Sequence, residues 1–319
     1  MARFVARRLA GMVLVLFAVS VIVFVIFNVI PGGDPAQRMG GREATPQLVA
    51  QINKDWGFND PLPVQYVDMM KQLFSGDLIS YQNQDNVTQR IKDGIPVTFS
   101  LAIGAAVIWM GVGILFGYLS AIKAGRFTDV TLTILALIGI SLPVFFIGAF
   151  FLYYFTFKWR IFPTGGYVEF TQDPWGWFTH LLLPWICLAI LYIGFYSRLL
   201  RSNMLDAMNE DYVRTARAKG LTERQVRIRH VLRLSLIPII TLFGLDFGAL
   251  LGGAIIIEFI FSLDGVGGYA FDAVAHLDLP PLMAVTMFGA FLIVLFNTLV
   301  DIAYAWLDPR IRLGAEAPA

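Results

Sequence analysis

Six apolar stretches of 20 residues or more punctuate the chain, at about 9–30, 97–122, 130–157, 180–200, 234–262 and 281–307. A helix rises ~1.5 Å per residue, so each stretch is long enough to cross a ~30 Å hydrocarbon core. The first three carry no charge. The fourth has His180 and Arg198 near its ends, where such side chains reach the interface. The fifth and sixth contain Asp246, Glu258 and Asp301. Two polar connections are long. Residues 31–96 carry turn punctuation at Pro31-Gly32-Gly33 and Asn59-Asp60-Pro61, with helical patches at Pro46–Trp56 and Val64–Phe74. Residues 201–233 are strongly basic. The pattern predicts an all-α membrane protein with six transmembrane helices.

Composition removes the soluble alternatives. Hydrophobic residues make up 57% of the chain and charged ones 15%, against about a quarter charged in soluble domains. Mean hydropathy is +0.67. The net charge of +1 conceals an asymmetry, since 16 of the 24 basic residues fall in alternate connections. They are Arg3, Arg7 and Arg8, then Lys123 and Arg126, nine from Arg198 to Arg233, and finally Arg310 and Arg312. Basic residues mark the cytoplasmic side, so both termini are expected inside. The acids Asp34, Asp55, Asp60, Asp68 and Asp77 gather in the long external segment. The first stretch mimics a signal peptide, but its apolar run is too long and no small-x-small cleavage site follows it. It reads as a retained anchor. The single cysteine, Cys187, lies in an apolar run and reads as a small buried side chain.

The internal loop has its own local logic. Asp211 suits a first helical turn, while Arg217 and Lys219 suit a last one. Gly220 is a natural stop, and a second helix is expected near Thr222-Glu223. On the first helix Tyr212, Ala216 and Lys219 fall along one side at i, i+4 and i+7. Ala216 and Gly220 are small enough for another protein surface to approach the backbone. The competing reading is an amphipathic linker lying on anionic lipid.

The loop sequence Asp211-Tyr-Val-Arg-Thr-Ala-Arg-Ala-Lys-Gly-Leu221, followed by His230-Val-Leu-Arg and Pro238, closely resembles the cytoplasmic loop of binding-protein-dependent ABC importer permeases. The match is to the peptide/nickel branch, the dipeptide/oligopeptide permease B-type subunits. Further similarities lie in Pro31-Gly-Gly-Asp-Pro-Ala36, in Trp56-Gly-Phe-Asn-Asp-Pro-Leu62 with Gln65-Tyr66, and in Gly76-Asp-Leu78. Ser141-Leu-Pro-Val-Phe145, Phe162-Pro-Thr-Gly-Gly166 and Gly252-Gly-Ala-Ile-Ile-Ile-Glu258 extend them, and Asp264-Gly-Val-Gly267 stands where the family has Pro-Gly-x-Gly. Arg214-Thr215-Ala216 occupy the Glu-Ala-Ala positions of other branches.

This resemblance implies a type I importer permease fold in a prokaryotic plasma (inner) membrane. Residues 1–30 would form the cytoplasmic arm and first helix, 31–96 the extracytoplasmic segment, 97–307 a five-helix core containing the coupling loop 201–233, and 308–319 a cytoplasmic tail. The implied partners are a second homologous permease subunit, two ATPase subunits, an extracytoplasmic substrate-binding protein and membrane lipid. Asp211, Tyr212, Arg214, Thr215, Ala216, Lys219 and Gly220 would form the ATPase-coupling element. The implied cargo is di- or oligopeptide, with nickel complexes, glutathione or sugars as alternatives.

The remaining chemistry is sparse. No Gly-x-x-x-x-Gly-Lys-[Ser/Thr] motif is present, so ATP and Mg are expected on the ATPase partners and no cofactor on this chain. His180, His230 and His276 show no metal-ligand spacing, and no nucleophile triad is evident, so neither a metal nor a catalytic site is expected. A basic loop between two membrane helices is not a nucleic-acid site. Charges inside a membrane are functional candidates by default. Asp246 either faces a translocation cavity and meets a cationic group, such as a peptide ammonium, or bonds a partner helix at Asn297 or Thr298. Glu258 reads as a gate or packing residue, and Asp301 as a structural acid paired with a base. Pro143 and the Gly248/Gly252/Gly253 set are candidates for bends and close packing. An ion-coupled secondary transporter using Asp246 and Asp301 is the rival from another class.

Overall fold

The computed structural model describes residues 2–28, 35–40, 45–251 and 254–307. The Pro31–Asp34 turn, Gly252, Gly253 and the tail 308–319 lie outside the described residues, as do the side chains of Arg3, Arg7, Arg8 and Asp301. Every regular element among the described residues is a helix, apart from one isolated antiparallel bridge between Ile79 and Asn86.

The helices are α1 (Ala2–Asn28), α2 (Pro35–Gly40), α3 (Pro46–Asp55), α4 (Leu62–Ser75), α5 (Val87–Ile122), α6 (Phe127–Ser141) and α7 (Val144–Phe151), which continues as a π turn to Lys158. Then come α8 (Pro174–Ala207) and α9 (Asp211–Ala218), followed by α10 (Glu223–Leu251), which contains a π turn at Val226–Leu232. The last three are α11 (Ile255–Ile260), α12 (Val266–His276) and α13 (Leu279–Leu307). Four are long and apolar enough to cross a membrane: α5, α8, α10 and the Leu279–Leu299 part of α13. Counting α6 with α7 as one span makes five. In α1 the apolar part Ala10–Ile26 is shorter.

Two expected spans are interrupted. The stretch 130–157 is broken between α6 and α7, whose axes differ by 96°. Pro143 excludes the helical conformation from the residue before it, and Leu142 is accordingly extended at φ −83°, ψ 128°. The stretch 234–262 also divides, since α10 ends at Leu251 and α11 is a separate short helix.

The chain forms two compact units. One comprises Met1–Thr98, Gly248–Phe259 and Asp264–Thr298; the other comprises Phe99–Phe247, Ile260–Leu263 and Leu299–Ala319. In the first, Phe24 of α1, Met69 of α4, Ile91 of α5, Tyr269 of α12 and Met283 of α13 share a buried core. The segment around Tyr66–Tyr81 is fastened into that unit by polar contacts. Ser20 and Tyr66 share a hydrogen bond of 2.7 Å. The buried carboxylate of Asp278 accepts from Ser80 Oγ at 2.5 Å and from the Tyr81 backbone N–H at 3.0 Å. Asp278 and burial together push the Tyr81 phenol well above its usual range, so it stays neutral.

In the second unit α6 packs along α8. The start of α8 is set by Asp173, whose side chain accepts from the Trp175 N–H at 3.1 Å, with Pro174 in the first turn. Trp109, fully buried on α5, stacks on Tyr192 of α8 at 4.6 Å.

Candidate functional site

The basic loop 201–233 folds as its residues suggest. α9 begins at Asp211 and ends at Ala218, with Lys219 as its cap. Gly220 then takes φ +79°, a left-handed conformation that a side chain disfavours. The Gly220 N–H reaches Arg217 O at 2.9 Å and the Leu221 N–H reaches Ala216 O at 3.4 Å, the paired closure of a Schellman stop. One residue later Thr222 and Gln225 form a capping box that starts α10. Arg217 Nε donates to Glu223 Oε1 at 2.8 Å across the turn. The corner between the two helices is therefore braced by backbone, cap and ion pair.

The face of α9 differs from the simple i, i+4, i+7 reading. Val213 is 0% exposed and Ala216 only 5%, and α9 packs against the π turn of α10. Ala216 thus packs against its own chain. The physical reason is tertiary, because Val213 and Ala216 are the apolar side chains that pack on the neighbouring turn. Asp211, Tyr212, Arg214, Thr215, Ala218 and Lys219 are exposed. Burial and the adjacent Glu210 carboxylate raise the Tyr212 phenol, which keeps it neutral. Arg214 pairs with Asp211 at 3.3 Å, an exposed contact worth well under ~1 kcal/mol.

An ion pair that the sequence does not announce lies behind this loop. Asp129, in the first turn of α6, is 4% exposed. Arg201 of α8 grips it with both prongs, Nε to Oδ1 at 2.7 Å and Nη2 to Oδ2 at 2.8 Å. The Gly125 N–H adds a bond of 2.8 Å to Oδ2, and the Ser120 hydroxyl donates to Oδ1. One carboxylate therefore gathers the end of α5, the 123–126 turn, α6 and α8. The available signal was an acid directly after the basic turn Lys123–Arg126, where no other acid stands.

Asp246 is half-buried on α10. Tyr196 of α8 donates to its Oδ2 at 2.7 Å, so the expected partner helix contact exists but comes from α8 and not from Asn297 or Thr298. Oδ1 has no partner among the described residues. Aromatic rings surround the pair: Trp109 lies 6.3 Å from the Tyr196 ring and 5.9 Å from Phe243. Pro143 has a backbone role at the α6–α7 break and an exposed ring. Next to the break, the Cys187 thiol sits 3.6 Å from Val144 O and is buried, as its position in an apolar run suggests.

Glu258 is completely buried and acts as a bolt. Its Oε1 accepts from Thr98 Oγ1 at 2.9 Å, and its Oε2 from the Gly268 N–H at 2.8 Å. Thr98 in turn accepts from the Val266 N–H at 2.9 Å. A methyl group on Gly265 would come within 2.4 Å of Oε2, so only glycine fits beside the carboxylate. This closes the Asp264-Gly-Val-Gly267 turn on α11 and the end of the Val87–Thr98 segment. Packing, with the turn as the thing packed, is the part of the sequence expectation that this geometry favours.

The predicted residues therefore separate by partner into a braced surface helix, a half-buried carboxylate and a fully buried one. Among the described residues no group of three or more His, Cys, Asp or Glu side chains is placed to hold a metal ion.

Comparison with known proteins gives consistent matches over the full length. Residues 113–313 match the family model described as "Binding-protein-dependent transport system inner membrane component", and residues 1–102 match its N-terminal counterpart. The probable peptide ABC transporter permease protein y4tP of Sinorhizobium fredii is 36% identical over 310 residues, 97% of this chain and 99% of the relative. The probable D,D-dipeptide transport system permease protein DdpB of Escherichia coli is 36% identical over 97% of both chains. The dipeptide transport system permease protein DppB of Bacillus subtilis is 31% identical over 98% of this chain and 99% of its own.

Proposed function

This chain belongs to the family of binding-protein-dependent transport system inner membrane components, and on that premise we propose that it is the permease subunit of an ATP-driven importer of di- and oligopeptides. It is a multi-pass membrane protein and a transport subunit rather than an enzyme. The peptide cargo is supported by the relatives, whose names specify peptide or dipeptide transport. The observation that carries the mechanism is the braced helix α9, set between two long apolar helices and showing a polar face.

In this reading the six stretches are six transmembrane helices of a type I importer permease in the prokaryotic inner membrane, with both termini cytoplasmic. Residues 31–96 cap the outer face, and 97–307 form the core that pairs with a second permease subunit. An extracytoplasmic binding protein delivers the peptide. Two ATPase subunits hold ATP and Mg and push on α9 through Asp211, Arg214, Thr215 and Lys219. A helix stopped by a Schellman turn and braced by Arg217–Glu223 transmits such a push as a rigid body. Gly220 sets the corner, Val213 and Ala216 seat the helix, and Tyr212 stays on its exposed side. Pro143 is the break at which α6 and α7 change direction, and Glu258 holds the α11–α12 turn.

Asp246 is our candidate for the peptide pathway. A half-exposed carboxylate on a membrane-spanning helix is costly against hydrocarbon, so in this reading it faces water or another subunit. Its free oxygen and the surrounding rings suit an ammonium group, the one cation common to peptides of any sequence. The test is uptake in proteoliposomes carrying the assembled complex, its binding protein and internal ATP. Dipeptide accumulation should require ATP and persist when an uncoupler collapses ion gradients; collapse with ATP intact would favour an ion-coupled carrier. In the same assay Asp246→Asn should lower the uptake rate about tenfold, ~1.4 kcal/mol. Unchanged uptake in that variant would remove Asp246 from the pathway.

A further inference from the structure

The contact between α6 and α8 is not continuous. Where they cross, a methyl group on Gly194 would meet the Ala136 carbonyl oxygen at 2.5 Å, so the backbones touch. Beyond the crossing the two helices leave a groove of about 520 Å³. One part of its lining is apolar, formed by Ile140 of α6 and by Phe195 and Leu199 of α8. The other is polar and comes from Thr133 of α6 and from the next turn of α8, at Arg198, Arg201 and Ser202. Arg201, which holds Asp129, is part of this lining.

The charges in this groove do not cancel. Arg201 spends Nε and Nη2 on Asp129, which neutralises it, and its Nη1 has no partner among the described residues. Arg198 is exposed and makes no hydrogen bond or ion pair among the described residues. A guanidinium with no acid beside an apolar trough, flanked by a second guanidinium edge and a hydroxyl, matches one ligand chemistry: a phosphate monoanion attached to a hydrocarbon chain. Arg198 also ends the uncharged run that begins at Leu181, which sets it at headgroup level when α8 spans a bilayer. We propose that this groove is a binding site for one anionic phospholipid, with its phosphate on Arg198 and Arg201 and an acyl chain along Phe195 and Leu199. A lipid there would fill the gap between α6 and α8 next to the bridge that joins them. The site rests on α8 lying in the membrane and not on the transported substrate or on the ATPase partners.

Native mass spectrometry of the transporter complex, purified in neutral detergent and titrated with phosphatidylglycerol or phosphatidylcholine, tests the proposal. Wild-type complex should retain one phosphatidylglycerol at concentrations that leave phosphatidylcholine unbound. Arg198→Gln should reduce that occupancy at least fivefold, Arg198→Lys should restore part of it, and Leu199→Trp should reduce it by filling the trough. Glycerol phosphate, which has the anion without the chains, should not displace the lipid at equal concentration. Equal retention of the two lipids, or unchanged retention in Arg198→Gln, would overturn the site. Displacement by glycerol phosphate would show a soluble-anion site instead. Loss of the second permease subunit in Arg198→Gln would show that a protein covers the groove, and would equally overturn it. Peptide uptake assays are independent of all these outcomes, so failure here leaves the transport function standing.

Discussion

Asp129→Ala is expected to destabilise the chain by about 3 kcal/mol, the lower end of the range for removing one partner of a buried ion pair. The lower end applies because the Arg201 side chain is 31% exposed while that of Asp129 is 5% exposed. The alanine variant would leave an arginine without its carboxylate and strand the Gly125 N–H and the Ser120 hydroxyl that now donate to it. Asp129→Asn keeps the size and one acceptor oxygen and should cost less. Arg201→Lys keeps the charge but replaces a two-pronged grip with a point contact, and should fall between wild type and alanine. Thermal unfolding of the detergent-solubilised complex, followed by tryptophan fluorescence, measures the order. An alanine variant that melts with wild type would mean that the pair contributes nothing to holding α6 on α8.

Thr215→Trp is expected to abolish ATP-driven uptake while leaving the melting temperature unchanged. Thr215 lies on the exposed face of α9, opposite Val213 and Ala216. Among the described residues its hydroxyl bonds only the Asp211 carbonyl oxygen, at 2.9 Å, so an indole there disturbs little within the subunit. At a docking face the same indole should cost ~2 kcal/mol or more, which is over tenfold in affinity. The expected signature is either loss of the co-purifying ATPase or hydrolysis without uptake. Ala216→Leu is the contrasting variant: its side chain must enter a packed space, so it should lower the melting temperature first. Wild-type uptake and ATPase retention in Thr215→Trp would end the coupling assignment for this face.

Much of this was legible along the chain because the membrane constrains sequence so strongly. Backbone groups in hydrocarbon must bond internally, so long apolar runs mean helices. Local rules also sufficed at Gly220 and Thr222, where stop and cap involve residues within a few positions. The helices at 46–55 and 62–75 were visible for the same reason. Pro143 marked a bend, although the sequence pattern ran straight through a break of 96°.

What could not be read was which side chains meet across helices. Asp129 and Arg201 are 72 positions apart, Tyr196 and Asp246 are 50 apart, and Thr98 and Glu258 are 160 apart. No local periodicity encodes such pairs. The same limit explains Ala216, whose small size reads equally well as a docking surface or as a seat against a neighbour. Sequence by itself determined the solvent, the helical class, the charge asymmetry and the stop–start corner of the loop, because each follows from short-range chemistry and from the bilayer's demand for apolar length. The tertiary structure alone decided which acids are partnered, which face of α9 is free and where α6 and α8 part, because packing brings together residues that the chain keeps far apart.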